Sequence, residues 1–336
     1  MKKINSVLFV IFLCAILFCK EENSFSKINV GILSGPSCIP VCKMLENPKI
    51  KDAELNFEKF ATPQNLLPKF IKKEIDIAFL PVNVAVKLFN TANKNIVCLA
   101  VTGNGNIFLI TTDKKINKLT DLNNKKVQVA GQGATPDFLF RYLLQQNEID
   151  TEKNGIDLDF SVPNAQIVAQ LISGKVDCAV VPEPFVTIAK TKSKKVYVAV
   201  DFQEEYKFFS DKKQNYPLTI MVAEKSFAQK NPQLIENFLQ EYENSLKWTL
   251  KNNAAAGKLC QNLDFGLNAN IVEKSIPNAN YVFVHADSAK SIIEDFLRVF
   301  MQFDSSAIGE KIPSEDFYFN LKNASETEKD KDNKND

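Results

Sequence analysis

The sequence predicts an α/β protein built from two lobes of similar architecture. One short segment occurs almost twice, at residues 73–83 and 174–185, as an acidic residue, a spacer, alanine, two large apolar residues and proline. Apolar residues at helical spacing precede both copies, and farther upstream residues 30–33 and 127–130 each run into a turn of small residues. A period of about 100 residues is too long for a solenoid, which favours two lobes that face each other.

Each copy predicts a buried parallel strand, because its core is apolar without polar alternation. Pro81 and Pro182 should end these strands, since proline removes a ladder donor and turns the chain out of the sheet. Asp76 and Asp177 precede the apolar cores, so we expect them to stabilise the strand starts rather than to bind a ligand. Ligands of open α/β sheets gather beyond the carboxyl ends of the strands, and the sequence therefore predicts a cleft where the two proline-stopped ends meet.

The first 19 residues are predicted to be an export signal. Lys2 and Lys3 precede an uncharged, mostly apolar run at residues 4–18 that is short for a membrane span, and Cys19 follows directly. The pattern resembles a bacterial lipoprotein signal in which Cys19 becomes the lipidated first residue, with Phe18 at a position that is normally small. Ordinary secretion and an uncleaved anchor are the alternatives, and in each case the mature chain leaves the cytoplasm.

The rest of the chain divides into a tether, two lobes and a tail. The predicted segments are a polar tether at residues 20–26, a discontinuous first lobe at 27–112 and 202–322, a second lobe at 113–201 and a disordered polar tail at 323–336. The chain is thus expected to cross between the lobes twice, near residue 112 and within residues 202–215. Residues 103–106 are predicted to be a turn between two strands of the first lobe.

Four motifs carry a resemblance to a known family. They are the pattern of residues 116–127 at the start of the second lobe, Gly131-Gln132-Gly133 before a helix, residues 174–185 with Glu183-Pro184-Phe185, and residues 216–222 with the helix that follows. Together they resemble the periplasmic substrate-binding proteins of ABC importers in the nitrate, sulfonate, taurine and thiamine-precursor group, over residues 27–305. The resemblance implies a two-lobed type II periplasmic-binding-protein fold, each lobe a mixed sheet flanked by helices, with an interlobe cleft that closes by hinge bending. Asn124 and Val181-Pro182 depart from the residues that are usual in the family, so the resemblance does not assign the ligand of any family member to this protein.

Candidate ligand-binding residues lie at the strand ends and helix starts of both lobes. Helix starts offer unpaired amides and positive potential, so Ser37 and Thr135 could help to hold one carboxylate, sulfonate or phosphate, or could merely cap their own helices. Asn83 could donate and accept hydrogen bonds to a ligand, or it could be a turn residue. Glu183 could accept a hydrogen bond from an amine or amide of the ligand, or it could make an interlobe or supporting contact within the protein. The predicted cleft residues are Ser34, Gly35, Pro36, Ser37, Pro81, Asn83, Thr102, Gly103, Gly133, Ala134, Thr135 and Glu183.

The composition disfavours several classes of function. With 41 basic and 40 acidic residues the net charge is +1, so no nucleic-acid surface is indicated. The sequence contains only two arginines, and this scarcity disfavours a site that binds a dianion through several bidentate contacts. The single histidine, His285, supports no hydrolytic triad, and neither a P-loop nor a GxGxxG turn is present. We expect no metal, no cofactor and no catalysis. Five of the seven cysteines, Cys38, Cys42, Cys98, Cys178 and Cys260, are predicted to be buried small hydrophobes. Phe79, Phe138 and Phe185 are expected near the cleft, where they would permit a planar ring to stack.

The leading hypothesis is a non-catalytic binding protein of the periplasm or cell surface. It would capture a small polar, anionic or heteroaromatic nutrient and deliver it to an ABC permease and its ATPase, touching the membrane only through a lipid anchor. One alternative is an enzyme of the same fold in thiamine or menaquinone precursor metabolism, which the export signal and the single histidine disfavour. Another is a surface lipoprotein that keeps the fold as a sensor or adhesin.

Overall fold

The computed structural model describes residues 26–92, 94–162, 164–210 and 213–321, which fold into two mixed sheets flanked by helices. The first sheet consists of β1 (Ser26–Leu33), β2 (Lys49–Ile50), β3 (Ala53–Phe60), β4 (Ile77–Pro81), β5 (Ile96–Asn104), β11 (Pro217–Glu224) and β12 (Tyr281–His285). The second consists of β6 (Ile107–Thr111), β7 (Lys126–Val129), β8 (Asp157–Asp159), β9 (Cys178–Pro182) and β10 (Tyr197–Asp201). Their strand orders are β12-β5-β11-β4-β1-β3-β2 and β10-β6-β9-β7-β8. The predicted signal with Cys19 and the predicted tail at 323–336 lie outside the described residues.

The helices cover the faces of both sheets. They are α1 (Cys42–Glu46), α2 (Pro63–Ile71), α3 (Val82–Thr91), α4 (Thr135–Gln146), α5 (Asn164–Ile172), α6 (Phe185–Lys192), α7 (Phe202–Phe209), α8 (Lys225–Lys230), α9 (Pro232–Lys251), α10 (Asn253–Asn262), α11 (Ala269–Ser275) and α12 (Ala286–Phe303). Short 3₁₀ helices occupy Pro36–Val41, Leu119–Leu122, Ile276–Asn278, Ser305–Ile308 and Glu315–Phe317. Within the described ranges, no helix combines the length and apolarity that crossing a membrane requires.

The predicted repeat corresponds to three parallel strands that recur in both sheets. β1 pairs in parallel with β3 and β4, and β7 pairs in parallel with β8 and β9. The Asp76 carboxylate accepts a hydrogen bond from the Asn29 backbone N–H at 2.8 Å, and the Asp177 carboxylate accepts one from the Lys126 N–H at 2.9 Å. Each aspartate thus links the start of its strand to the neighbouring parallel strand. This confirms their predicted structural role, and β4 and β9 end at the predicted prolines.

The first passage between the sheets lies at Gly105, earlier than the boundary expected near residue 112. β6 pairs with β9 and β10, so residues 107–111 belong to the second sheet. The prediction of a turn within one lobe is therefore wrong, because residues 103 and 104 end β5 and Gly105 and Asn106 connect it to a strand of the other sheet. The Asn104 N–H donates to the Asn280 carbonyl at 2.9 Å and the Gly105 N–H to the Tyr216 carbonyl at 2.8 Å. The backbone of this crossing is thus hydrogen-bonded to two distant segments and not to itself, as it would be in a hairpin turn.

The chain returns to the first sheet between β10 and β11, within the region predicted for the second crossing. Gln203, which is buried, ties the two crossings together. Its Oε1 accepts from the Ile107 N–H at 2.9 Å and from the Tyr216 hydroxyl at 2.8 Å. The side-chain amide of Gln203 thus links the two connections by one hydrogen bond to each.

Aromatic side chains join the lobes in a continuous core. We call the aromatic seam the buried cluster Phe138, Phe140, Phe202, Tyr206, Tyr216, Phe296 and Phe300. The Phe138 ring of α4 lies 5.0 Å from the Phe300 ring of α12, and the Tyr216 ring stacks on Phe296 at 4.9 Å. Because α4 follows a strand of the second sheet and α12 follows a strand of the first, this contact spans the two lobes. Any movement of one lobe against the other must keep these contacts or rebuild them.

Candidate functional site

A cavity of about 540 Å³ lies between the two sheets, at the carboxyl ends of β1, β4, β7 and β9. It is lined by Leu33, Ser34, Pro36, Ser37, Pro40, Ala61, Pro63, Gln64, Pro81, Asn83, Val84, Thr102, Gly103, Asn104, Asn106, Ile107, Ala130, Gly131, Gln132, Gly133, Ala134, Thr135, Pro136, Pro182, Glu183, Leu218, Thr219, Tyr242, Ala279 and Tyr281. Residues of both lobes and of the first crossing contribute. Its position is the one that strand-end topology gives to ligands of α/β sheets.

The structure brings almost all of the predicted cleft residues to this cavity. Those that line it are Ser34, Pro36, Ser37, Pro81, Asn83, Thr102, Gly103, Gly133, Ala134, Thr135 and Glu183. Gly35 is absent from the lining, although it lies between two lining residues, and its φ of 106° suits glycine because the left-handed region is strained for other residues. The role of these residues in ligand binding stays a prediction.

Neither predicted hydroxyl caps its helix. The Ser37 Oγ donates instead to the Leu33 carbonyl at 3.0 Å, and no hydrogen bond of the Thr135 hydroxyl is found among the described residues. The residues that occupy the N-cap positions are Gly35 and Ala134, and neither makes a side-chain cap. The capping alternative is therefore wrong at both positions, and the Thr135 hydroxyl is left available at the cavity.

The start of α4 carries its own negative charge. The Asp137 carboxylate, which is 5% exposed, accepts from the Gly133 N–H at 3.0 Å and is paired with Arg141 at 2.6 Å. A carboxylate at this position satisfies an unpaired amide and offsets the positive potential of the helix end. The other predicted helix start is the 3₁₀ helix Pro36–Val41, which continues directly into α1, so its first amides keep their positive potential at the cavity. Asp137 therefore weakens the anion-binding potential of one of the two predicted helix starts, the one at α4.

Glu183 makes two hydrogen bonds within its own lobe and interacts with one side chain of the first lobe. Its Oε2 accepts from the Thr187 N–H and its Oε1 from the Thr187 hydroxyl, each at 3.0 Å, so the carboxylate closes the first turn of α6. Burial raises the pKa of the Glu183 carboxyl, while Thr187, the Asn278 side chain of the first lobe and Lys190 act in the opposite direction. Glu183 lines the cavity, but its oxygens are already engaged.

The raised pKa of Glu183 predicts a pH effect on stability. A carboxyl that binds its proton more tightly in the folded state stabilises that state at low pH, and this contribution is lost as pH rises from the ordinary pKa of 4.5 through the raised one. Glu183→Gln should therefore flatten the fall in unfolding free energy between about pH 4 and about pH 7. Urea unfolding of both proteins across this range measures the difference, and contributions of Asp76 and Asp201 cancel in it. Identical pH slopes would contradict the assignment.

Several cavity residues were not predicted from the sequence. Asn106 comes from the crossing that was mistaken for a turn, and its Nδ2 donates to the Ala279 carbonyl at 3.3 Å. Tyr242 of α9 lies with its hydroxyl near Thr102, and the Tyr281 hydroxyl donates to the Pro36 carbonyl at 2.8 Å. Tyr242 and Tyr281 lie 161 and 200 residues after Pro81 in the sequence, so only the tertiary fold shows that they line the same cavity.

The predicted phenylalanines do not line the cavity. Phe79 packs on Tyr242 at 5.4 Å, Phe138 belongs to the aromatic seam, and Phe185 packs against the core of the second sheet. These rings have no polar edge, so burial in the cores is favoured over a place on a wetted wall. The aromatic side chains that do reach the wall are Tyr242 and Tyr281. The Tyr281 hydroxyl is satisfied by the Pro36 carbonyl, whereas the Tyr242 hydroxyl is buried without a hydrogen-bond partner among the described residues.

The cavity wall contains no lysine, arginine or histidine. Throughout the described ranges, no group of three or more metal-ligating side chains is found. The five predicted buried cysteines are buried free thiols, as expected, and none of them lines the cavity. The wall is therefore a neutral, partly polar surface with one carboxyl group.

Comparison with solved structures shows the same fold. An ABC transporter protein from Parabacteroides distasonis is 24% identical, with a TM-score of 0.76 over 88% of this chain and 99% of the other. The periplasmic aliphatic sulphonate-binding protein SsuA from Escherichia coli is 16% identical, with a TM-score of 0.69 over 88% and 92%. The periplasmic nitrate-binding protein NrtA from Synechocystis is 15% identical, with a TM-score of 0.62 over 90% and 89%. The predicted type II periplasmic-binding-protein fold is thus confirmed.

Sequence comparison adds the family. A search of curated proteins finds no significant match to this chain. The profile of one family, however, matches residues 22–263, which is well over half of the sequence and includes both crossings and the second sheet. The protein therefore belongs to the NMT1-like family.

Proposed function

We propose that the protein is the extracytoplasmic solute-binding component of an ABC import system. The observation that carries this proposal is the cavity between the carboxyl ends of two similarly built sheets, with polar groups from both lobes in its wall. A small ligand held there contacts both lobes at once, so binding can be sensed by a membrane partner. The sulphonate- and nitrate-binding proteins with the same fold support this choice.

The cavity chemistry favours binding over catalysis. Its one carboxyl, Glu183, is hydrogen-bonded to Thr187 and is not free to act as a base. His285 is exposed and does not line the cavity. A nucleophile paired with a base at hydrogen-bond distance is not found in the described wall, so a covalent or general-base mechanism lacks its parts. An enzyme of thiamine or menaquinone precursor metabolism is the less favoured function.

The proposed location is the periplasm or the cell surface, with a lipid anchor at Cys19. Metabolic labelling with a palmitate analogue should mark the wild-type protein, because the thiol of Cys19 would carry the lipid. Cys19→Ala should abolish the label and release the protein from membranes, whereas the matched change Cys14→Ala within the same signal should do neither. A wild-type protein that is unlabelled and soluble would contradict the anchor and leave export intact.

The test of the binding function uses protein purified without refolding. Mass spectrometry of the denatured protein should identify a small molecule retained in the cavity, and calorimetric titration should return its affinity. At a hundredfold excess over the dissociation constant this ligand should raise the unfolding free energy by about 2.7 kcal/mol. Uptake of the same compound should fall in cells that lack the gene, and should require the permease and ATPase. Normal uptake without the gene would exclude an import role.

A further inference from the structure

The side chains around the cavity do not favour an anionic ligand. No cationic side chain stands in the wall, and the carboxyl of Glu183 is the one acidic group there. Asp137 brings a further carboxylate to the start of α4, where it accepts from the Gly133 N–H and is paired with Arg141. An anion bound in the cavity would have to rely on the amides at the starts of Pro36–Val41 and α3 and on neutral side chains.

The crossing adds further acceptor groups beside the cavity. Because the Asn106 Nδ2 donates to the Ala279 carbonyl, the orientation of this amide is fixed and its Oδ1 is the atom without a partner. The Asn104 Oδ1 is likewise buried without a partner among the described residues. These two buried, unpaired amide oxygens make the local potential more negative, since the low-dielectric surroundings screen them weakly.

Two polar side chains on opposite lobes are available to a ligand. Asn83, in the first turn of α3, lines the cavity at 9% exposed, and no hydrogen bond of its amide is found among the described residues. Thr135, at the start of α4, also lines the cavity and is 4% exposed. An amide and a hydroxyl can each donate and accept, and neither side chain is among those whose polar atoms are sealed from solvent, so both can meet a ligand in the cavity.

We propose that this cavity selects a ligand without net negative charge, which bonds to the Asn83 amide of one lobe and the Thr135 hydroxyl of the other. Such a ligand offers donors and acceptors side by side, as uncharged amides, ureides and nitrogen heterocycles do. The inference rests on the proposed binding function, and it differs from the ligand types named for the sulphonate- and nitrate-binding proteins of the same fold.

The charge class can be tested before any ligand is identified. The small-molecule fraction of yeast extract is passed over a strong anion exchanger near neutral pH, and bound anions are eluted with ammonium bicarbonate and dried. Thermal unfolding of the mature protein is then followed with each fraction. The unbound fraction should raise the unfolding midpoint. A rise with the anion fraction alone would overturn the charge class and leave the binding function standing, while a rise with neither would count against the binding function and the inference together.

Variants test the two side chains. Asn83→Leu and Thr135→Val should each require about tenfold to hundredfold more of the active fraction for the same rise in midpoint, because a buried ligand bond is lost. Asn83→Asp keeps an acceptor and adds negative charge, so it should retain a response to donor-bearing ligands. Gln128→Leu is the matched control for Asn83→Leu, because Gln128 is a buried amide with an unpaired Oε1 away from the cavity. Thr249→Val is the control for Thr135→Val. Equal responses of wild type, Asn83→Leu and Thr135→Val would overturn the assignment.

Discussion

Replacing Phe300 with alanine is expected to lower the free energy of unfolding by about 3–5 kcal/mol, as for other large-to-small changes at fully buried aromatic positions. Phe300 is 0% exposed, and its ring contacts Phe138 at 5.0 Å and Phe296 at 5.4 Å. The contact with Phe138 is an interlobe contact, so the cavity left by the missing ring would weaken both lobes. Urea unfolding followed by circular dichroism measures the change.

Phe208→Ala is the matched control for this substitution. Phe208 is 70% exposed, so its removal should change the unfolding free energy by no more than about 0.5 kcal/mol. If Phe300→Ala were as mild as Phe208→Ala, the aromatic seam would not be a joint core. Two separate unfolding transitions in the wild type would contradict it as well.

Gly105→Ala should destabilise the protein by at least about 3 kcal/mol, because the added methyl has no room. A Cβ at Gly105 would lie 2.0 Å from the Tyr216 Cζ, which is well inside van der Waals contact. Tyr216 cannot retreat without loss, since its ring stacks on Phe296 and its hydroxyl donates to Gln203. The unfolding free energy of the variant measures the cost.

The neighbouring Gly103→Ala separates this steric effect from a general effect of glycine replacement in the crossing. Its added Cβ would meet Thr219 at 3.7 Å, an ordinary contact. The unfolding free energy should then stay the same or rise by less than about 1 kcal/mol, because alanine restricts the unfolded chain. Equal losses in the two variants would contradict the steric explanation.

The architecture could be predicted because the sequence repeats its local signals. Asp76 and Asp177 each precede an apolar run and a proline, and each makes the same bond to a neighbouring parallel strand. Signals of this kind lie within short segments of the sequence, so the strands, their ends and the helices that follow them can be predicted from it. Because strand ends also position ligands, most of the predicted cleft residues meet at one cavity.

The remaining features depend on contacts between distant residues. Residues 103–106 suit a turn by composition, and only the pairing of β6 with β9 and β10 shows that the chain crosses between sheets there. Tyr242 and Tyr281 reach the cavity from elements that carry no local sign of it. Phe138 was expected near the ligand because it follows a strand end closely in the sequence. The sequence does not show whether its ring faces the cavity or the core between the lobes, and the structure places it in the core.

The aromatic seam also bears on the order in which the chain can fold. Phe138 of the second lobe is synthesised 162 residues before Phe300, whose ring contacts it at 5.0 Å. Phe140 can stack on Phe202 earlier, but until α12 has emerged the Phe138 ring lacks this partner and part of the apolar side of α4 stays uncovered. Early segments of the chain should therefore stay loosely packed during synthesis. This is compatible with the proposed export, because a chain that has not yet closed its core can pass through a narrow secretion channel.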